Sequence, residues 1–366
     1  MNRATFTLRR DGAGPETKLR SDRLIVTLSL AGEIGFGEGT PRSVSGGETL
    51  AEAESWLLGL QPQVAGITSL YQLEAFVQER REDIDAHPMA WCALEMAFLD
   101  ALARASRLSV ERFTGLASVR GDYRFTTSLG DEEDESLETL VRTSFERGVE
   151  DFRFRLSGDA SADLRRLRRV HALAAPRGLR PRVRVDAGAL WREGGEEALR
   201  RLLPLRDYFW AIKEPGDARP ARELSRLSVE LDRVLVLDES LARLADFDAF
   251  EGSDGSYAVH LRVAKMGGLL RSLEVLERVR DLSWPLVIGS RLGEGPLLAR
   301  AGFAVAAQAR DLLVVKESSA EGLRHRRGPR LSFEADAWAR LEHMGPGWGL
   351  EPGELSTGSI EARVEP

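Results

Sequence analysis

Asp186 and Asp238 are the residues around which a reaction centre could be built. Each closes a short apolar run, in Val185-Asp186-Ala187-Gly188 and Leu237-Asp238-Glu239-Ser240. Carboxylates so placed are fit to hold a divalent cation. Between them a third string of the same form, Ile212-Lys213-Glu214-Pro215, puts a lysine where a third carboxylate would complete the set. One lysine with two aspartates carries the same net charge as a divalent ion among three carboxylates. Mg²⁺ takes oxygen ligands and has no use for an ammonium. The expectation is a Lys213 ammonium within hydrogen-bonding distance of Asp186 or Asp238, and no metal. Glu214 is the alternative ligand, but successive strand side chains face opposite sides, so its use needs a register shift or bulge.

These strings need elements to position them. From Tyr123 onward, apolar runs appear at 123–129, 149–155, 181–186, 208–213, 234–238, 257–262, 285–289 and 311–315. Amphipathic stretches around 133–147, 161–175, 194–203, 219–229, 268–280 and 294–308 fill most of the gaps, with a weaker helix after the fifth run. Eight such units predict an α/β fold, a closed (β/α)8 barrel whose chemistry sits at the C-terminal ends of its strands. Upstream, residues 5–40 read as a β meander. Helices are predicted from Thr49 to about Leu60, over 71–80, and from His87-Pro88 through Ala105. The tail predicts a helix over 334–342. The expected division is an α+β capping domain over 1–118 together with the tail 326–366, and a barrel domain over 119–325.

Composition narrows the function. The chain has 366 residues, enough for one large domain and a smaller one, and its net charge of −7 gives no electrostatic case for nucleic acid or membrane binding. Its one cysteine, Cys92, excludes a disulfide framework and argues against structural zinc. No apolar signal core or membrane-length run is visible, so the cytoplasm is the expected compartment. The oligomeric state stays open, a homo-oligomer included. Only four of the 51 basic residues are lysines, and three of these, Lys213, Lys265 and Lys316, fall at the expected ends of strands four, six and eight. A lysine retained in so arginine-rich a chain is informative.

Longer strings now carry a resemblance. Gly35-Phe36-Gly37-Glu38 with Pro41, Ala93-Leu94-Glu95-Met96-Ala97-Phe98-Leu99-Asp100, the three strand-end strings, Lys265-Met266-Gly267-Gly268 and Gly289-Ser290-Arg291-Leu292-Gly293-Glu294 occur in order along the chain. In them the chain resembles the enolase superfamily, in its mandelate racemase and muconate lactonizing branch. The resemblance implies Mg²⁺-assisted removal of a proton α to a carboxylate, with three carboxylates ending strands three, four and five as ligands. It also implies a Lys-x-Lys on strand two facing a lysine on strand six. Here the strand-two pair reads Arg153-Phe154-Arg155, the strand-six position is Arg262 and the strand-four ligand is Lys213; only Asp186 and Asp238 keep the pattern.

A guanidinium stays protonated and has no lone pair, so Arg155 and Arg262 cannot act as bases. With Arg153 and Lys316 they read as a cationic clamp for a small carboxylate. Lys265 is either a relocated base or a loop lysine beside the Gly pair. Glu294 is read as a helix cap or an acid/base group, and Lys316 has a solvated rim charge as its alternative. His260 shares the inward face with Arg262 as a core histidine, while His87 and His171 are structural. Asp11 through Ser21 and Ser43 through Glu48 are expected to form loops over the barrel mouth. Three functions compete. One is a divergent, metal-free anion site with lyase or isomerase chemistry, if active, that uses Lys213, Lys265 or Glu294 beside Arg155 and Arg262. The second is a conventional Mg²⁺-dependent cycloisomerase, dipeptide epimerase or o-succinylbenzoate synthase-like enzyme. The third is a non-catalytic binding protein.

Overall fold

The computed structural model describes residues 3–11, 23–41, 47–119, 123–130, 133–188, 195–214, 220–290, 294–317, 331–333, 339–341, 345–350 and 360–362. The mouth loops expected at Asp11–Ser21 and Ser43–Glu48 lie for the most part outside these residues. The antiparallel strands β1 (Thr5–Asp11), β2 (Arg23–Leu30) and β3 (Glu33–Gly39) form the meander, and a tail strand, Ile360–Ala362, pairs with β1. Four helices follow: α1 (Leu50–Val64), α2 (Leu70–Glu79), α3 (Arg81–Ala86) and α4 (Pro88–Ala105). Thr49 starts α1 through a capping box with Glu52. α4 is buried on every side from Met89 to Ala103, as an all-round apolar helix must be. It lies against β3 so closely that a Cβ on Gly35 or Gly37 would collide with the carbonyl oxygens of Ala97 and Ala93. That is the physical content of the Gly-x-Gly string. A short helix, α5 (Val110–Phe113), leads to the barrel.

The barrel strands are β4 (Thr127–Leu129), β5 (Asp151–Arg155), β6 (Arg182–Asp186), β7 (Ala211–Lys213), β8 (Val234–Leu237), β9 (Tyr257–Leu261), β10 (Leu286–Ile288) and β11 (Leu313–Lys316), paired in parallel in chain order. Lys316 N donates to Arg124 O at 3.0 Å and closes the ring. Helices α6 (Asp134–Glu146), α7 (Ala160–Ala174), α8 (Gly195–Leu202), α9 (Ala221–Leu231), α10 (Val263–Met266), α11 (Leu269–Asp281) and α12 (Pro296–Gln308) surround it. Phe152, Phe154, Val183, Val185, Ile212, Leu235 and Leu237 belong to the large core shared with the helices. Ala211, Val236, Ala258, Val287 and Val315 form a separate apolar cluster inside the barrel. The fold is thus the expected (β/α)8 barrel with an N-terminal cap.

Buried carboxylates dock the cap. Glu38 accepts from Gly295 N and, at 3.4 Å, from Leu298 N, capping α12. Glu95 of α4 accepts from Leu270 N at 3.1 Å in the first turn of α11. Asp100 accepts from Phe36 N at 2.9 Å and Trp348 N at 2.8 Å. Helix N-termini offer unpaired N–H groups and a positive dipole end, so Glu38 and Glu95 match them, while Asp100 ties β3 to the turn at Trp348. Two expectations are corrected. The gap after β8 holds a 3₁₀ turn, Leu244–Ala249, instead of an α-helix, and Ala339–Leu341, placed in a tail helix, is a strand paired with Leu331–Phe333. Among the described residues no helix is long and apolar enough to cross a membrane.

Candidate active site at the barrel mouth

Asp238 follows β8 directly, which puts its carboxylate at the C-terminal end of the barrel with only 1% of the residue exposed. Its Oδ2 lies 2.8 Å from Lys213 Nζ. Its Oδ1 accepts from Arg262 Nη2 at 2.8 Å and Lys265 Nζ at 3.1 Å, and stands 3.3 Å from His260 Nδ1. Burial alone would raise the carboxyl's pKa; Arg262, Lys213, His260 and Lys265 outweigh it and hold the group well below its ordinary value. Lys213 is the counterpart. Burial works against its charge, but Asp238 and then Asp186 outweigh that, and the ammonium is held above its ordinary value. Lys213 thus faces inward. Glu214 accepts from Ser240 N at 2.8 Å instead, and burial, with help from Asp238, raises its carboxyl to about 7.

A second centre forms around Glu317, just past β11. It accepts from Arg153 Nη1 at 3.2 Å and Arg184 Nη1 at 3.1 Å, and its Oε2 is 3.1 Å from His260 Nε2. Arg153, His260 and Arg184 overcome burial and hold this carboxyl well below its ordinary value. His260 therefore bridges Glu317 and Asp238. Asp186 accepts from Gly188 N at 2.9 Å and lies 4.0 Å from Arg153 Nε. Arg262 also donates to Glu239 at 3.1 Å.

Several assignments change. Lys316 was expected at the mouth as an anion contact. Its ammonium instead sits over the Phe303 ring of α12, 5.2 Å from the centroid, and donates to Glu317 O. The reason is a register irregularity between β10 and β11, where Leu286 pairs with Leu313 but Val287 with Val315. The slip turns Val315 and Glu317 inward and Lys316 outward. Glu294 was expected to cap α12, but Glu38 fills that place; Glu294 lines a small cavity with Arg262 and Lys265. Lys265, the candidate base, donates to Asp238 O at 2.8 Å, His260 O at 2.9 Å and Asp238 Oδ1. All three ammonium protons are engaged, although burial lowers its pKa to about 8. Arg155 is exposed at the end of β5 and has no carboxylate partner among the described residues. Sequence reasoning missed Glu317, Arg184 and Asp151. Strand parity carries a signal for the last two, since Asp151 is two residues before Arg153 and Arg184 two before Asp186.

Mg²⁺ needs oxygen ligands around an accessible point. The three strand-end positions supply two aspartates and an ammonium, and Asp238 already faces four nitrogen groups. Among the described residues no three His, Cys, Asp or Glu side chains gather to hold a metal ion. This donor set does not fit a divalent cation.

The family described as Enolase C-terminal domain-like matches residues 136–355. The L-Lys-D/L-Arg epimerase of Methylococcus capsulatus is 27% identical over 285 residues, 74% of this chain and 76% of that protein. The hydrophobic dipeptide epimerase of Roseobacter litoralis is 24% identical over 291 residues, 78% of this chain and 80% of that protein. Among solved structures, a dipeptide epimerase from Enterococcus faecalis superposes with a TM-score of 0.81 at 19% identity, covering 95% of this chain and 99% of that one. A dipeptide epimerase from Methylococcus capsulatus, complexed with Mg ion, gives 0.78 at 23% identity, covering 96% of this chain and 100% of that one. At these identities the structures speak to the fold. With more than half its length matched, the chain belongs to the Enolase C-terminal domain-like family, in the mandelate racemase and muconate lactonizing branch of the enolase superfamily.

Proposed function

We propose that the barrel mouth binds a small carboxylate anion without a divalent cation and does not perform metal-assisted epimerisation. The observation that carries this reading is the Lys213 ammonium 2.8 Å from Asp238 Oδ2, a fixed cation where the fold would otherwise gather carboxylates. Proton removal beside a carboxylate needs a base of near-neutral pKa and a group to stabilise the enolate. Arg155 and Arg262 cannot accept a proton. Lys213 is held protonated, and Lys265 has its protons committed to Asp238 and His260. Arg155 remains as an exposed cation with no carboxylate partner among the described residues, suited to take one from a ligand.

A second reading, a conventional Mg²⁺-dependent dipeptide epimerase, draws on the kinship with the Methylococcus capsulatus L-Lys-D/L-Arg epimerase. It requires Lys213 to leave Asp238 and Glu214 to take its place. Titration calorimetry with Mg²⁺ separates the two. On the proposed reading the native protein shows no Mg²⁺ binding and Lys213→Glu gains it, while dipeptides in D₂O show no Mg²⁺-dependent exchange at the α-carbon. A carboxylate probe such as succinate binds, and Arg155→Ala weakens it roughly tenfold. Stoichiometric Mg²⁺ binding with α-proton exchange in the native protein would establish the second reading instead.

A further inference from the structure

At the opposite end of the barrel, the N-terminal ends of β6, β7 and β8 surround a cleft of about 620 Å³. Its walls include Arg180, Arg182, Tyr208, Trp210 and Arg233. We propose that this cleft is a second binding site, for a small molecule that joins a planar ring to an anionic group.

Arg233 is occupied: its guanidinium donates to Arg206 O at 2.9 Å and Phe209 O at 2.8 Å, and the cleft's carboxylates, Asp207 and Asp232, each stand 3.9 Å from it. The guanidinium groups of Arg180 and Arg182 have no hydrogen bond or carboxylate partner among the described residues, although the Arg182 backbone N–H donates to Glu150 O at 2.8 Å. Arg182 is also in a poor electrostatic position. Burial lowers its pKa, Asp151 offsets part of that, and Arg124 and Arg184 repel its charge. Arg184 is spent on Glu317 and Asp151. An anion would relieve this field, and paired arginines are the side chains that take carboxylate or phosphate by parallel N–H bonds.

Arg182 lies over the Trp210 ring at 5.2 Å, and Arg168 repeats the arrangement over Tyr208 at 5.8 Å. A guanidinium has two faces, and Trp210 covers one, which leaves the other as a platform for a planar group. The Trp210 indole N–H is buried without an acceptor. The cleft volume falls within the range of small-molecule sites.

Titration calorimetry on the full chain with AMP, benzoate and inorganic phosphate tests the proposal. The expected result is binding of AMP, of benzoate or of both, with inorganic phosphate weaker by roughly tenfold or more. AMP alone would identify a phosphate-bearing ligand and benzoate alone a carboxylate-bearing one. Arg182→Gln should weaken binding by roughly 10- to 100-fold. Arg180→Gln, at an exposed residue, should act in the same direction and carries the test should Arg182→Gln fail to fold. Arg80→Gln, on the surface of the cap and outside both sites, should leave binding unchanged. The proposal is overturned if neither ring-bearing anion binds, if inorganic phosphate binds as well as they do, or if binding ignores Arg180 and Arg182.

Discussion

Two regions of this molecule bury carboxylates, and they satisfy them by opposite means. Where the cap meets the barrel, Glu95 is fully buried and takes backbone N–H groups of α11 and the indole of Trp91; burial still dominates and its carboxyl is raised to about 7. Inside the barrel mouth, Asp238 and Glu317 are as deeply buried, yet both are held well below their ordinary values by arginine, lysine and histidine. Aligned backbone dipoles offset part of the desolvation of a carboxylate; a full counter-charge at contact distance exceeds it. The cap interface is therefore joined by groups that can go neutral. The mouth is a charge lattice in which no member can be lost alone.

The lattice makes the largest prediction. Asp238→Asn leaves Lys213, Arg262 and Lys265 facing one another without their counter-charge, and removing one partner of a buried ion pair costs about 3–5 kcal/mol. Urea unfolding at neutral pH should read a loss of that size. A loss no greater than that of Glu95→Gln would break the distinction between the regions. Glu317→Gln should follow at about 2–4 kcal/mol, because Arg153 is partly exposed and retains Asp186 within reach.

The pH dependence sharpens the comparison. Glu95 has its folded pKa raised from 4.5 to about 7, so between those values the folded chain holds a proton that the unfolded chain has lost. Stability from this group falls as pH rises through that window. Glu95→Gln removes the titration, so its melting temperature relative to wild type should climb from pH 5 to pH 8. Asp238 has its folded pKa depressed, so its contribution is fully present above the unfolded value and is lost only as pH falls towards the folded one. Asp238 itself therefore adds no titration between pH 5 and 8; any slope of the Asp238→Asn deficit there comes from Glu214 and Lys265, whose pKa values Asp238 raises, and disappearance of the deficit at neutral pH would contradict the assigned charge states. The smallest effect belongs to Arg155→Ala. With no carboxylate partner to lose, it should change stability by less than about 0.5 kcal/mol in the same urea assay while weakening carboxylate binding.

How much of this was legible before the fold was known depends on the period of the pattern. Strand and helix alternation located all eight barrel strands, because a parallel barrel repeats one unit and each unit shows its own apolar run. Strand parity gave Lys213 and Glu214 opposite faces, and in the structure Lys213 meets Asp238 while Glu214 accepts from Ser240 N. The tail was misread because the short strands there lack the length for a period to show.

What the sequence determined by itself is the identity and order of the charges at the strand ends: two aspartates, one lysine and arginines where bases would be needed. That content follows from residue type and an alternation of two, both local properties of the chain. Only the tertiary structure decided which charges meet. Asp238, at the end of β8, collects Lys213 from the end of β7 and His260, Arg262 and Lys265 from the end of β9 and the turn after it, and no spacing along the chain encodes that convergence. The Lys316 and Glu317 pair shows the limit most clearly. Both are charged neighbours at the end of one strand, and a single slip in the β10–β11 ladder sends the lysine out against Phe303 and the glutamate in among Arg153, Arg184 and His260. A register slip is a property of two strands paired, so it is absent from either strand read alone.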